Sequence, residues 1–184
     1  EEVGIYGIAF SLSLQGDFFR NIIAIALFPI AIKTFNLSHN KYSIKKILSI
    51  SGLFFTGVLL LCTFFSFYVE ELVLFIFGKD YAESGVILSV LIFYYALSFA
   101  TIPFTTAIQA IEEERYLLIT TIITALINIP LNYVFYHKFG LIGIAYSTLF
   151  VNFFGSLFVI LITIYTLKKH TLGLSIIKLD SPSK

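Results

Sequence analysis

Asp17 and Arg20 are the residues best placed to do chemistry, because both stand in the middle of an otherwise apolar run from Val3 to Pro29. At a rise of about 1.5 Å per residue, Asp17 lies roughly 20 Å along a helix from Val3, deep within a hydrocarbon core about 30 Å thick. An unneutralised charge at that depth is costly, and such charges commonly mark substrate or ion pathways. Their spacing of three puts both side chains on one helix face, where they can neutralise each other. Tyr6, Ser13 and Asn21 fall on the same face at spacings near seven or four. Two readings follow. In one, the pair is an ion pair that glues its helix to a neighbour. In the other, which we favour, the stripe lines a water-filled cavity in which Arg20 meets an anionic ligand.

Amides and hydroxyls recur at helical spacing farther along: Tyr94, Ser98, Thr101, Thr105 and Gln109; then Thr120, Thr124, Asn128, Asn132 and Tyr136; then Thr148, Asn152, Ser156 and Thr163. Singly, such groups pack helices together or bond their own backbone. Stripes on several helices point to a shared polar interior. Asn128 and Asn132 flank Pro130, whose missing amide frees a carbonyl and marks a place where a helix can kink and move. Thr56, Thr63 and Ser66 make the least polar of these segments, expected to face lipid over most of its surface.

Other chemistries find little support. His39, His137 and His170 lie on separate connections without metal-ligand spacing. Glu112, Glu113 and Glu114 read as a solvated turn, and the lone Cys62, within an apolar segment, rules out an intrachain disulfide. There is no phosphate-cradling glycine loop and no nucleic-acid motif. The sequence therefore calls for no cofactor, metal or nucleic-acid partner, and not for an enzyme.

The elements that must position these groups follow from composition. Hydrophobic residues make up 58% of the 184 and charged residues 12%, which places the chain among all-α integral membrane proteins. Five spans are predicted, over about 3–32, 47–69, 86–111, 116–136 and 141–167, followed by a cytoplasmic tail over 168–184. The second half of the Lys33–Lys46 connection can lie on the membrane surface as an amphipathic turn. Glu70–Gly85 reads as a loop around Phe77-Gly78-Lys79-Asp80-Tyr81, and Pro103 is tolerable within the third span if neighbours or hydroxyls satisfy the freed carbonyl. With no Met in the chain, Glu1 is not expected to be a natural start, and the sequence reads as part of a longer protein.

Basic residues orient the spans. Lys33, Lys41, Lys45, Lys46, Arg115, Lys168 and Lys169 fall on one side, against Lys79 and Lys138 on the other, so the former side is expected to be cytoplasmic and the chain to begin outside. Two spans entering from the outside share an echo. Gly4-Ile5-Tyr6-Gly7-Ile8-Ala9-Phe10-Ser11 matches Gly140-Leu141-Ile142-Gly143-Ile144-Ala145-Tyr146-Ser147 at five of eight positions. Either small residues let helix starts pack closely, or a helix unit has been duplicated, as in transporters built from repeats.

The order of several short motifs resembles the C-terminal half of the polysaccharide biosynthesis flippases of the multidrug/oligosaccharidyl-lipid/polysaccharide exporter superfamily. The resemblance rests on Val3-Gly4-Ile5-Tyr6 opening a span that ends in Phe28-Pro29, on Phe77-Gly78-Lys79-Asp80-Tyr81, and on Gln109-Ala110. It continues through Asn128 and Asn132 to Phe139-Gly140-Leu141-Ile142-Gly143-Ile144-Ala145. It implies one bundle of a larger two-bundle transporter in the cytoplasmic membrane, with alternating access and translocation of an oligosaccharide on a polyprenyl diphosphate. The partners implied are that lipid-linked oligosaccharide, membrane lipids and an N-terminal helix bundle of the same protein.

Under the resemblance Arg20 would attract the diphosphate through charge-assisted, often bidentate bonds. Asp17 would hold Arg20 in the empty cavity or carry a coupling proton, and Asn21, Gln109, Asn128, Asn132 and Asn152 would meet sugar hydroxyls or hydrate the cavity. A multidrug and cation exporter of the same superfamily is the nearest alternative, favouring acidic cavity residues, for which Asp17 alone qualifies. A membrane-embedded glycan enzyme is the more distant one.

Overall fold

The computed structural model describes residues 2–37 and 42–179, and side chains for residues 2–33 and 44–169. A backbone surrounded by apolar groups must satisfy its N–H and C=O groups internally, which favours helices. No strand occurs among the described residues. The helices are α1 (Glu2–Ser13), α2 (Gln15–Leu37), α3 (Tyr42–Ser66), α4 (Val69–Phe77), α5 (Ala82–Leu91), α6 (Tyr94–Ala110), α7 (Arg115–Phe139) and α8 (Leu141–Leu179). Five helical stretches are long and apolar enough to cross a membrane: Glu2–Lys33, Ile44–Ser66, Lys79–Ala110, Arg115–Phe139 and Leu141–Lys169.

The third stretch is the hub. Of its most apolar window 61% is buried, against 17% or less in the other four. Helix α6 carries α2 and α3 on an apolar cluster of Cys62, Tyr95, Phe99 and Ile102, with Ile23, Leu27 and Phe54 packed against it. It meets the later part of α8 through Phe104, Ala107 and Leu167. Helix α5 gathers α1, α4 and the start of α8 around Ala9, Val73, Ile87, Leu88 and Ala145. Between apolar helices in lipid, such packing acts through van der Waals contact and hydrogen bonds rather than release of water.

Two stretches expected to be continuous are interrupted. At Leu14 the ladder tightens: the Asp17 amide bonds the Leu14 carbonyl three residues back at 3.0 Å, which separates α1 from α2. At Ile92-Phe93 amides again reach three residues back, Phe93 to Val90 at 3.2 Å and Tyr95 to Ile92 at 3.1 Å, separating α5 from α6. Mid-span breaks of this kind survive where neighbouring helices re-satisfy the freed groups. The Tyr95 hydroxyl donates to the Ser13 carbonyl, and the Cys62 thiol donates to the Ile92 carbonyl at 3.1 Å. Pro103 is accommodated within α6, where the Ser51 hydroxyl of α3 reaches the adjacent Ala100 carbonyl at 2.6 Å.

Several expectations are corrected. Glu70–Gly85 is largely helical: α4 begins with Glu70 and Glu71 in its first turn, where carboxylates suit the helix dipole, and α5 opens at Ala82. The turn between them is real, built on Gly78 at φ 88° with a 3-10 turn over Lys79–Tyr81. Pro29 lies inside α2, which runs beyond the expected end near residue 32 to Leu37. Tyr42 to Lys46 form the first turn of α3 rather than a separate surface turn, and Lys41 lies outside the described residues. Helix α8 runs past Leu167 to Leu179.

The echoed segments pack alike in one respect. Ala9 and Ala145 are both fully buried in the same cluster, and α1 and α8 both lie on α5. Their glycines differ. A Cβ on Gly7 would meet nothing within 4 Å, whereas one on Gly143 would collide with the Phe135 carbonyl.

Candidate functional site

A cavity of about 400 Å³ opens beside α6 and is lined from four helices. Helix α2 brings Arg20, Asn21 and Ala24; α6 brings Tyr94, Ser98, Thr101, Thr105 and Gln109. Helix α7 contributes Leu117, Thr120, Thr121 and Thr124, and α8 contributes Asn152, Gly155, Ser156 and Val159. The polar stripes of spacing three and four thus converge because each lies on the face its helix turns toward the same space. Among the described residues, helix α3 sends none to the lining.

Arg20 dominates the electrostatics of this space. Among the described lining residues it is the one ionised side chain. Its Nε is buried without a hydrogen-bond partner, and among the described residues no carboxylate lies within ion-pair distance of its guanidinium. The expected pairing with Asp17 is therefore absent. Asp17 instead stands near enough to Tyr95 to act on it electrostatically and lies outside the described lining, so a spacing of three placed the two residues on one helix without closing them into a pair. A buried guanidinium donor without an acceptor is costly, and an anion would satisfy it.

The hydroxyl walls are polarised in the complementary sense. Thr120 donates to the Tyr116 carbonyl at 2.8 Å, Thr121 to Leu117 at 2.9 Å and Thr124 to Thr120 at 2.9 Å. Thr101 and Thr105 donate to Ser98 and Ile102 at 2.8 and 3.0 Å, and the Asn152 amide donates to Thr148 at 2.8 Å. A hydroxyl whose proton is committed to its own helix presents only lone pairs outward. The cavity thus offers one strong cationic donor set and a wall of neutral groups in which these threonines present lone pairs.

Of the residues singled out from the sequence, Arg20, Asn21, Gln109 and Asn152 meet at this cavity, with Asn21 and Gln109 exposed. Asn128 and Asn132 do not. The Asn132 amide donates to Asn128 Oδ1 at 2.7 Å, and the Ser147 hydroxyl donates to Asn132 Oδ1, so these groups pin α7 to α8. Thr121 and Gly155 line the cavity and escaped the sequence reading. Thr121 lies one residue off the spacing-of-four series, and Gly155 has no side chain to signal a face; a Cβ there would come 2.9 Å from the Thr124 methyl. The Glu112–Glu114 turn forms a separate surface concavity in which Glu113 pairs with Arg115 at 2.8 Å, and Glu112 takes φ 60°. No cluster of metal-ligating side chains occurs among the described residues.

No family model, curated protein or solved structure matches the chain.

Proposed function

We propose that the chain is the C-terminal bundle of a two-bundle flippase in the cytoplasmic membrane, moving a polyprenyl-diphosphate-linked oligosaccharide by alternating access. The observation that carries this is the buried, unpartnered Arg20 Nε in a cavity otherwise walled by hydroxyls and amides. Arg20 grips the diphosphate, to which a guanidinium fork bonds in bidentate fashion. The sugar hydroxyls, which are donors, face the lone pairs of Thr101, Thr105, Thr120, Thr121 and Thr124. The ligand's chemistry is thus divided as the cavity's is. A cation exporter is less well supported, because among the described residues no carboxylate lines the cavity and Asp17 lies outside the lining. The N-terminal bundle completes the cavity and supplies further charge.

Expressing the natural full-length protein in cells whose own flippase is deleted, at matched membrane levels, tests this. Arg20→Ala is expected to abolish surface polysaccharide, and Arg20→Lys to retain part of it, since a point charge replaces a fork. Normal export by both variants overturns the role given to Arg20.

A further inference from the structure

We infer that Tyr95 is a positioning residue for Arg20, its ring and hydroxyl fixing the break at Leu14 and thereby the rotation at which α2 presents the guanidinium to the cavity. This rests on the reading of Arg20 as the ligand-binding cation. The break leaves the Ser13 carbonyl without its helical donor, because the Asp17 amide has turned to Leu14. The Tyr95 hydroxyl supplies the missing hydrogen bond. Just beyond, Gly16 admits the Tyr95 ring: a Cβ at Gly16 would lie 2.5 Å from Cζ and 2.6 Å from Cε1. Gly16 is therefore glycine for close approach of an aromatic ring, with the hydroxyl and the ring gripping consecutive parts of the same interruption.

Tyr95 is itself held. It is 7% exposed, lies edge-on to Phe99 at 6.4 Å between centroids, and is the second residue of α6, just past the second break. At that second break its own amide and the Cys62 thiol of α3 share the Ile92 carbonyl. The two interruptions thus meet at one residue, whose side chain reaches the first and whose backbone amide closes the second. Arg20 stands four residues after Gly16, about one turn away. If the ladder at Leu14 slipped by one residue, α2 would rotate by about 100°, enough to carry Arg20 off the cavity face.

The test is thiol labelling of the natural full-length protein, made with Cys62→Ser and without other cysteines, carrying either Arg20→Cys or Thr124→Cys. A water-soluble methanethiosulfonate reagent reads how each position faces the aqueous cavity. Gly16→Ala and Tyr95→Ala are each expected to slow labelling at position 20 by about tenfold, and Tyr95→Phe by about threefold, with position 124 changed by less than about twofold. Tyr95→Phe and Gly16→Ala keep the test decisive if Tyr95→Ala does not fold. Unchanged rates at position 20 overturn the inference. Parallel losses at positions 20 and 124 overturn it as well, because Tyr95 would then be packing for the whole cavity. The reagent reports the aim of residue 20 whether or not any lipid-linked sugar moves, so failure here and failure of the flippase reading give different results.

Discussion

Two polar regions of the bundle use the same kinds of side chain to opposite ends. Between α7 and α8, the Asn132 amide donates to Asn128 Oδ1 and the Ser147 hydroxyl donates to Asn132 Oδ1, so both amide oxygens are engaged within the bundle. Between α2 and α6, Arg20 keeps a buried donor with no partner, and the threonines around it point their protons into their own helices. A network bonded from helix to helix holds them together and leaves fewer groups to offer a ligand. An open one is unfavourable when empty and binds whatever completes it. Satisfaction, rather than residue type or spacing, separates the two.

The sharpest way to break this comparison is at Arg20. A charge-assisted hydrogen bond contributes about 1.5–3 kcal/mol, so Arg20→Ala is expected to lower diphosphate affinity by roughly 10- to 150-fold while leaving thermal stability unchanged or higher. Binding titration and a melting curve on the same preparation check both halves. Next in size is Gly143→Ala, whose new methyl drives into the Phe135 carbonyl where α7 meets α8. Overpacking there should destabilise by about 1–3 kcal/mol, visible as a lower melting temperature, with affinity per folded molecule retained. Asn132→Ala removes the link between α7 and α8 and should cost about 0.6–1.7 kcal/mol of stability, again without loss of affinity. If Asn132→Ala instead weakened binding as Arg20→Ala does, the two regions would not be distinct. Smallest is Thr121→Val, which removes one acceptor from the cavity wall at nearly constant volume. Affinity for the glycan-bearing ligand should fall about threefold while affinity for inorganic diphosphate stays the same, a split that dose–response measurements with both ligands resolve.

How much of this was legible in the sequence depends on the range of the interaction concerned. The five apolar stretches are local properties and read directly from composition along the chain. The convergence of Arg20, Gln109 and Asn152 follows from helical spacing once polar stripes are assumed to face inward. The breaks at Leu14 and Ile92-Phe93 were not legible, because what permits them is supplied from elsewhere in the fold, by Tyr95 to Ser13 and by Cys62 to Ile92. Gly16, one of the residues flanking the first break, was the one local hint. Spacing put Asn128 and Asn132 on one face of α7 without saying that Ser147 of α8 would be waiting there. The stretch after α3 reads as a loop because the Phe77-Gly78 turn is a strong local signal, whereas the 9 residues of α4 are too few to show a span.

Direct binding tests the central claim most closely. The natural full-length protein in lipid nanodiscs is titrated with a polyprenyl-diphosphate-linked oligosaccharide, comparing wild type, Arg20→Ala and Asn132→Ala. A cavity that binds through Arg20 requires Kd to rise by about tenfold or more in Arg20→Ala, at least about 1.4 kcal/mol, and to stay within about twofold in Asn132→Ala. An unchanged Kd in Arg20→Ala contradicts the assignment of Arg20 as the ligand's anchor.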